Sequence, residues 1–147
     1  MRWQKSNKVM KNALILCLGL MAGCKSESVD SLTLGSDFPL TTKQPVQVGD
    51  VQLALTGVED SRCPKNVQCV RAGEVVVDLA LNAQQNVKMC LGDCQLVGRK
   101  TSVTQDSLEV TVNQQKYLLI LKQVTPESRT EKVPNEQYQL QMQVLKK

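Results

Sequence analysis

Four cysteines carry most of the chemistry available to this chain. Cys63 and Cys69 stand six positions apart in D-S-R-C-P-K-N-V-Q-C, and Cys90 and Cys94 stand four apart in C-L-G-D-C. In an exported chain such thiols form two disulfides, with three connectivities open. The alternative is a metal site, but neither spacing is a usual zinc spacing, and the chain has no histidine to complete a mixed site. The same absence removes Ser-His-Asp and Cys-His catalysis, and oxidised cysteines are not nucleophiles. No Gly-rich phosphate loop is present. What remains for acid–base work is a trio of carboxylates close in sequence, Glu59, Asp60 and Glu74, where surface acids usually do no more than bind water. The residue types predict a protein that is not an enzyme and needs no cofactor or metal.

The compartment is read from the first 24 residues. Arg2, Lys5, Lys8 and Lys11 form a positive leader, and Ala13 to Gly23 is an apolar run. The run is short for a bilayer crossing, which takes roughly 20 residues, and suits a signal peptide. It ends in Leu20-Met21-Ala22-Gly23-Cys24, which resembles a bacterial lipobox, with Met21 where leucine is commonest. Residues 1–23 therefore read as a lipoprotein signal peptide and Cys24 as the lipidated residue; the alternative is an ordinary secretory signal that happens to contain a cysteine. Lys25 at the next position points to the outer membrane of a Gram-negative cell, since aspartate there typically retains the protein in the inner membrane. Cys17 leaves with the leader, and Cys24 is consumed by lipid.

Removing the leader changes the electrostatics. The chain has 18 basic and 14 acidic residues, and four basic ones lie in the leader, so 14 of each sign remain and the mature charge is zero. A neutral domain whose aromatics are Phe38, Tyr117 and Tyr138 lacks the positive stripe and stacking platforms of a nucleic-acid binder. The expected partners are the membrane, through the lipid, and another component of the cell envelope.

The elements that must position the cysteines are strands. Residues 24–37, Ser-rich after the modified cysteine, read as a tether. Residues 38–147 form one domain with a hydrophobic period of two. Val75, Val77, Leu79 and Leu81 alternate with Val76, Asp78, Ala80 and Asn82, and Tyr138, Leu140, Met142 and Val144 alternate with glutamines. Strands are predicted near 43–48, 51–59, 73–82, 86–91, 107–112, 116–124 and 136–145, with 94–104 unassigned. Turn signals fall at Gly49-Asp50, Asn82-Ala83, Leu91-Gly92-Asp93 and Asn113-Gln114. About seven short strands and no amphipathic helix predict an all-β, antiparallel β-sandwich, with a small barrel as the alternative.

On these residues a resemblance stands out. Asp60-Ser61-Arg62-Cys63-Pro64, then Cys69, then Ala72-Gly73 and a Val-rich strand resembles an uncharacterised family of small bacterial lipoproteins and exported proteins. The specific part covers residues 59 to 77. Arg71 departs from the pattern, which commonly has tryptophan there. The resemblance implies the fold and the compartment, and no activity.

Local pairing, Cys63 with Cys69 and Cys90 with Cys94, is expected because a tight turn brings Cα atoms within disulfide reach. The seven-residue ring Cys63–Cys69 is worth about 2.4 kcal/mol by chain entropy, against nearly ~4 for a long bridge to Cys94. Its use is therefore to shape a loop. Cys90–Cys94 is expected to staple a hairpin turn at Gly92. The bland account of the ring is a self-satisfied connection closing one end of the sandwich. The sharper one is a stiffened surface that offers Lys65, Asn66, Val67 and Gln68 to a partner. The expected function is thus a non-catalytic, lipid-anchored envelope β-sandwich protein that binds another envelope component or a partner protein. The alternative is an inhibitor of secreted proteases that presents Lys65 as a substrate mimic.

Overall fold

The computed structural model describes residues 31–95, 97–98, 102–128 and 130–147. The leader, Cys24 and residues 25–30 lie outside the described residues. Alternating apolar side chains produce strands, and strands need a second sheet to cover their apolar face. Here that is met by two sheets. One runs in the order β1 (Ser31–Leu32), β3 (Val46–Val48), β4 (Val51–Asp60), β5 (Glu74–Leu81) and β6 (Gln85–Gly92). The other runs β2 (Asp37–Thr41), β9 (Gln139–Lys146), β8 (Gln115–Thr125) and β7 (Asp106–Val112). All pairings are antiparallel except β1 with β3. The core between the sheets draws Leu53, Val77 and Leu79 from one and Phe38, Leu140 and Met142 from the other, all fully buried. The fold is an all-β sandwich, with two separate sheets in place of the barrel alternative.

The hairpins close where turn residues were read. Asn82 and Ala83, and Asn113 and Gln114, adopt the paired positive φ that two-residue hairpins require. Between β3 and β4 a single residue, Gly49, takes positive φ, at 58°. Three expectations are corrected. The folded body begins by residue 31, before the expected boundary at 38, because Leu32 and Leu34 pack on the core and Ser31–Leu32 pairs with β3. Asp37–Thr41 is a strand that its Pro39 conceals; it lies at a sheet edge, where a missing N–H is tolerated. Leu91-Gly92-Asp93 is not a hairpin turn. Gly92 ends β6, pairs with Val103 and lets the chain leave the sheet.

Two bulges decide where side chains point at one end of the sandwich. In β4 the pairing shifts between Leu55 and Gly57, and in β8 between Leu121 and Gln123. One extra residue flips every later side chain to the other face. Inward positions in β4 are odd up to Leu55, yet Val58 and Asp60 point inward after it. In β8 the inward set Tyr117, Leu119 and Leu121 gives way to Val124.

Candidate functional site

The flipped phase of β4 aims Asp60 into the end of the sandwich, where it meets Arg62. Arg62 Nε donates to Asp60 Oδ1 at 2.8 Å and Nη2 to Oδ2 at 2.6 Å, a two-point guanidinium–carboxylate pair. The same guanidinium donates to the Val124 carbonyl at 3.0 Å and the Pro126 carbonyl at 2.8 Å, at the end of β8 in the other sheet. Tyr138, just before β9, donates its hydroxyl to Asp60 Oδ2 at 3.1 Å, and Ser128 donates to the Arg62 carbonyl at 2.5 Å. Burial and the Asp60 carboxylate push the Tyr138 phenol up to about 12. The Asp-Ser-Arg triplet therefore ties the start of the cysteine loop to both sheets.

Ser61 and Gly73 close the loop's other side. The Ser61 N–H and hydroxyl both donate to the Glu74 carbonyl, at 2.8 and 3.0 Å, and Cys63 N–H donates to the Ala72 carbonyl at 2.8 Å. Gly73 has φ 73°, and a Cβ there would sit 2.0 Å from the Ser61 carbonyl oxygen. No other residue fits that approach. The Ala-Gly pair that follows the second cysteine is thus part of the same clamp as Asp60-Ser61-Arg62.

The second cysteine pair lies beside the first. Asp93 N–H donates to the Gly73 carbonyl at 3.0 Å, and Gly73 N–H to Asp93 Oδ2 at 3.2 Å. Both loops thus share one end of the sandwich, the arrangement in which crossed disulfides were conceivable, yet the bridges are local: Cys63–Cys69 with Cα atoms 6.0 Å apart, and Cys90–Cys94 at 5.7 Å. Cys90 and Cys94 are fully buried on the outer face of β5 and β6. There they form a second small core with Val76, against which Val97 and Val103 pack. Cys90 N–H donates to Asp106 Oδ2 at 2.9 Å, and Glu74 Oε2 lies 3.6 Å from Cys90 Sγ. Glu74, Cys90 and Cys94 are close enough to be considered as metal ligands, but their two sulfurs are bonded to each other and offer no thiolate.

The carboxylates that were close in sequence do not converge. Asp60 is turned inward onto Arg62, Glu59 is exposed, and Glu74 is buried against the second disulfide on the outer face. The ring residues, by contrast, stay together in solvent. Lys65 and Asn66 are the centre of a turn closed by Val67 N–H on the Pro64 carbonyl at 3.3 Å, with Asn66 at φ 69°. Lys65 pairs with Glu127, and Arg71 approaches Asp93 at 3.6 Å. Val67 is 45% exposed and Val70 completely so, and Gln68 is exposed. A shallow groove of about 450 Å³ runs between Pro64 and Lys65 on one side and Glu127, Ser128, Thr130 and Glu131 on the other.

Sequence reasoning found the ring, while the choice of Asp60 over Glu59 as the partner of Arg62 came from the structure. It missed Tyr138, Ser128 and the carbonyls of Val124 and Pro126, which are 62 or more residues away from their partners. The one available signal was a tyrosine at the head of a glutamine-alternating strand, whose hydroxyl needs a partner once the ring is buried. No family model, curated protein or solved structure matches the chain.

Proposed function

We propose that this protein is a non-catalytic, lipid-anchored part of the cell envelope, held through Cys24 in the outer membrane of a Gram-negative bacterium, whose β-sandwich presents the Cys63–Cys69 ring to another envelope component. One observation carries the reading: the base of the ring is bonded to both sheets, while Val67 within it and Val70 just after it are held out to solvent. A loop already fixed in shape loses little freedom when it binds, so such a ring favours contact. The inhibitor reading has less behind it. A substrate mimic is read as an extended strand, whereas Lys65 and Asn66 sit in a turn and Lys65 is paired to Glu127.

Two measurements test the proposal. A fatty-acid analogue fed to cells should label the wild type and miss Cys24→Ser; equal labelling of both sinks the anchor. A photo-crosslinking residue at Gln68 should give adducts in intact envelopes, and one at Gln84, in the turn at the opposite end, should not. Equal adducts from both positions remove the ring as the contact surface.

A further inference from the structure

We infer that the envelope component met by the ring is the lipid surface itself: the Lys65–Arg71 tip is a foot that rests on the membrane to which the chain is tethered. The inference rests on lipidation at Cys24. Three observations carry it.

The first is where the exposed apolar side chains are. Among the described residues the exposed large hydrophobics are Val67 and Val70, and both belong to this one tip. Solvent exposure of a valine is unfavourable in water and is relieved at the boundary of a bilayer. The second is charge. No carboxylate stands between Ser61 and Gly73, while Lys65 and Arg71 flank the valines. Their ion pairs with Glu127 and Asp93 join side chains that are 76% and 60% exposed, and 52% and 22% exposed, so they are weak and exchangeable for lipid phosphates. Apolar residues with cations beside them are the pattern of an interfacial contact.

The third is the direction and length of the tether. β1 runs parallel to β3, which runs from Val46, opposite Leu53, to Val48, opposite Val51. Both head toward the Gly49–Asp50 turn, so Ser31 is the end of β1 that faces the ring. Ser31 is seven residues past Cys24, a reach of about 24 Å at full extension. Ser31 is level with Gln47 and hence with Gln52, and from Gln52 to Asp60 β4 climbs eight residues, about 26 Å. So short a tether keeps the lipid within about 24 Å of the ring-facing end of β1, and the ring end of the sandwich is the end it brings to the bilayer. The disulfide fixes Lys65 to Gln68, and the Cys63 N–H on the Ala72 carbonyl ties down the chain after Cys69, so the tip meets the surface as a fixed shape.

Tryptophan reports the contact. The one tryptophan of the chain, Trp3, precedes Cys24, so in the processed protein Val70→Trp is the single reporter. The lipidated Val70→Trp protein is reconstituted into phosphatidylethanolamine–phosphatidylglycerol vesicles containing brominated acyl chains, with Gln84→Trp as the distal control and fatty-acid labelling read on the same samples. The expected result is several-fold stronger quenching at position 70 than at 84, reduced when Lys65 and Arg71 are both changed to glutamate. Equal quenching at the two positions in labelled protein overturns the foot and leaves the anchor standing. Absence of label overturns the anchor and the foot with it. Protein adducts from position 70 in envelopes, without quenching in vesicles, also overturn the foot, in favour of a protein partner.

Discussion

The two disulfides of this protein are made from the same local device and do opposite things. Cys63–Cys69 closes a ring of turn residues in solvent, whereas Cys90–Cys94 is fully buried and forms the centre of a second core. They lie side by side, linked through Gly73 and Asp93. By chain entropy alone the larger, exposed ring should be worth slightly more, about 2.4 against about 2 kcal/mol. Burial reverses that order. The inner bridge has both sulfurs packed against Val76, Val97 and Val103, and its loss opens a cavity as well as a ring. The lesson is that loop length ranks disulfides only when both have the same surroundings.

The comparison can be broken by mutation. The largest effect should come from Cys90→Ser with Cys94→Ser, which removes the bridge and its packing beside Val76, Val97 and Val103; about 3–5 kcal/mol of stability should go, read from denaturant midpoints. A loss no larger than that of the outer ring would show that burial adds nothing. Next comes Arg62→Ala, which leaves the Asp60 carboxylate inside the sandwich without its guanidinium; about 2–4 kcal/mol is expected, because the remaining charge is poorly solvated. If the ring alone fixed the loop, this substitution would change little.

Cys63→Ser with Cys69→Ser should cost only about 2 kcal/mol and leave the sandwich folded. Its signature is local, with protease cleavage appearing between residues 63 and 72 while the core amides keep their exchange protection. The smallest effect concerns pH. The Tyr138 phenol is raised in the fold, so the stability it contributes is complete below its unfolded value near 10 and is lost as pH climbs through about 12. Tyr138→Phe should therefore flatten the decline of stability over that window. An unchanged decline would place the alkaline sensitivity elsewhere, Tyr117 being the other phenol raised by burial.

Much of this was legible in the chain because its causes are local. A period of two marks half-buried strands wherever it is unbroken, so Val77, Leu79, Leu140 and Met142 were correctly placed inside. The turns at Asn82-Ala83 and Asn113-Gln114 need residues that tolerate positive φ, and asparagine leads both. Cysteines a few positions apart can hardly avoid each other in a turn, and so the two local bridges follow from spacing. The edge strand Asp37–Thr41 was missed because Pro39 argues against a strand in any position but an edge, and edges are assigned by neighbours.

What the chain alone could not specify is the work of the residue at each position once the phase changes. Asp60 beside Glu59 reads as one of two surface acids. The extra residue in β4 rotates it inward, and the matching irregularity in β8 brings the carbonyls of Val124 and Pro126 to the guanidinium of Arg62. A bulge costs one residue of register and leaves hardly any trace in composition, because it depends on the strand alongside. The same holds for the two cysteine loops. Their spacing predicts bridges but not burial, and burial came from Val97 and Val103 packing on the outer face of β5 and β6. Covalent closure is a property of near neighbours, and solvent exclusion is a property of whatever packs on top.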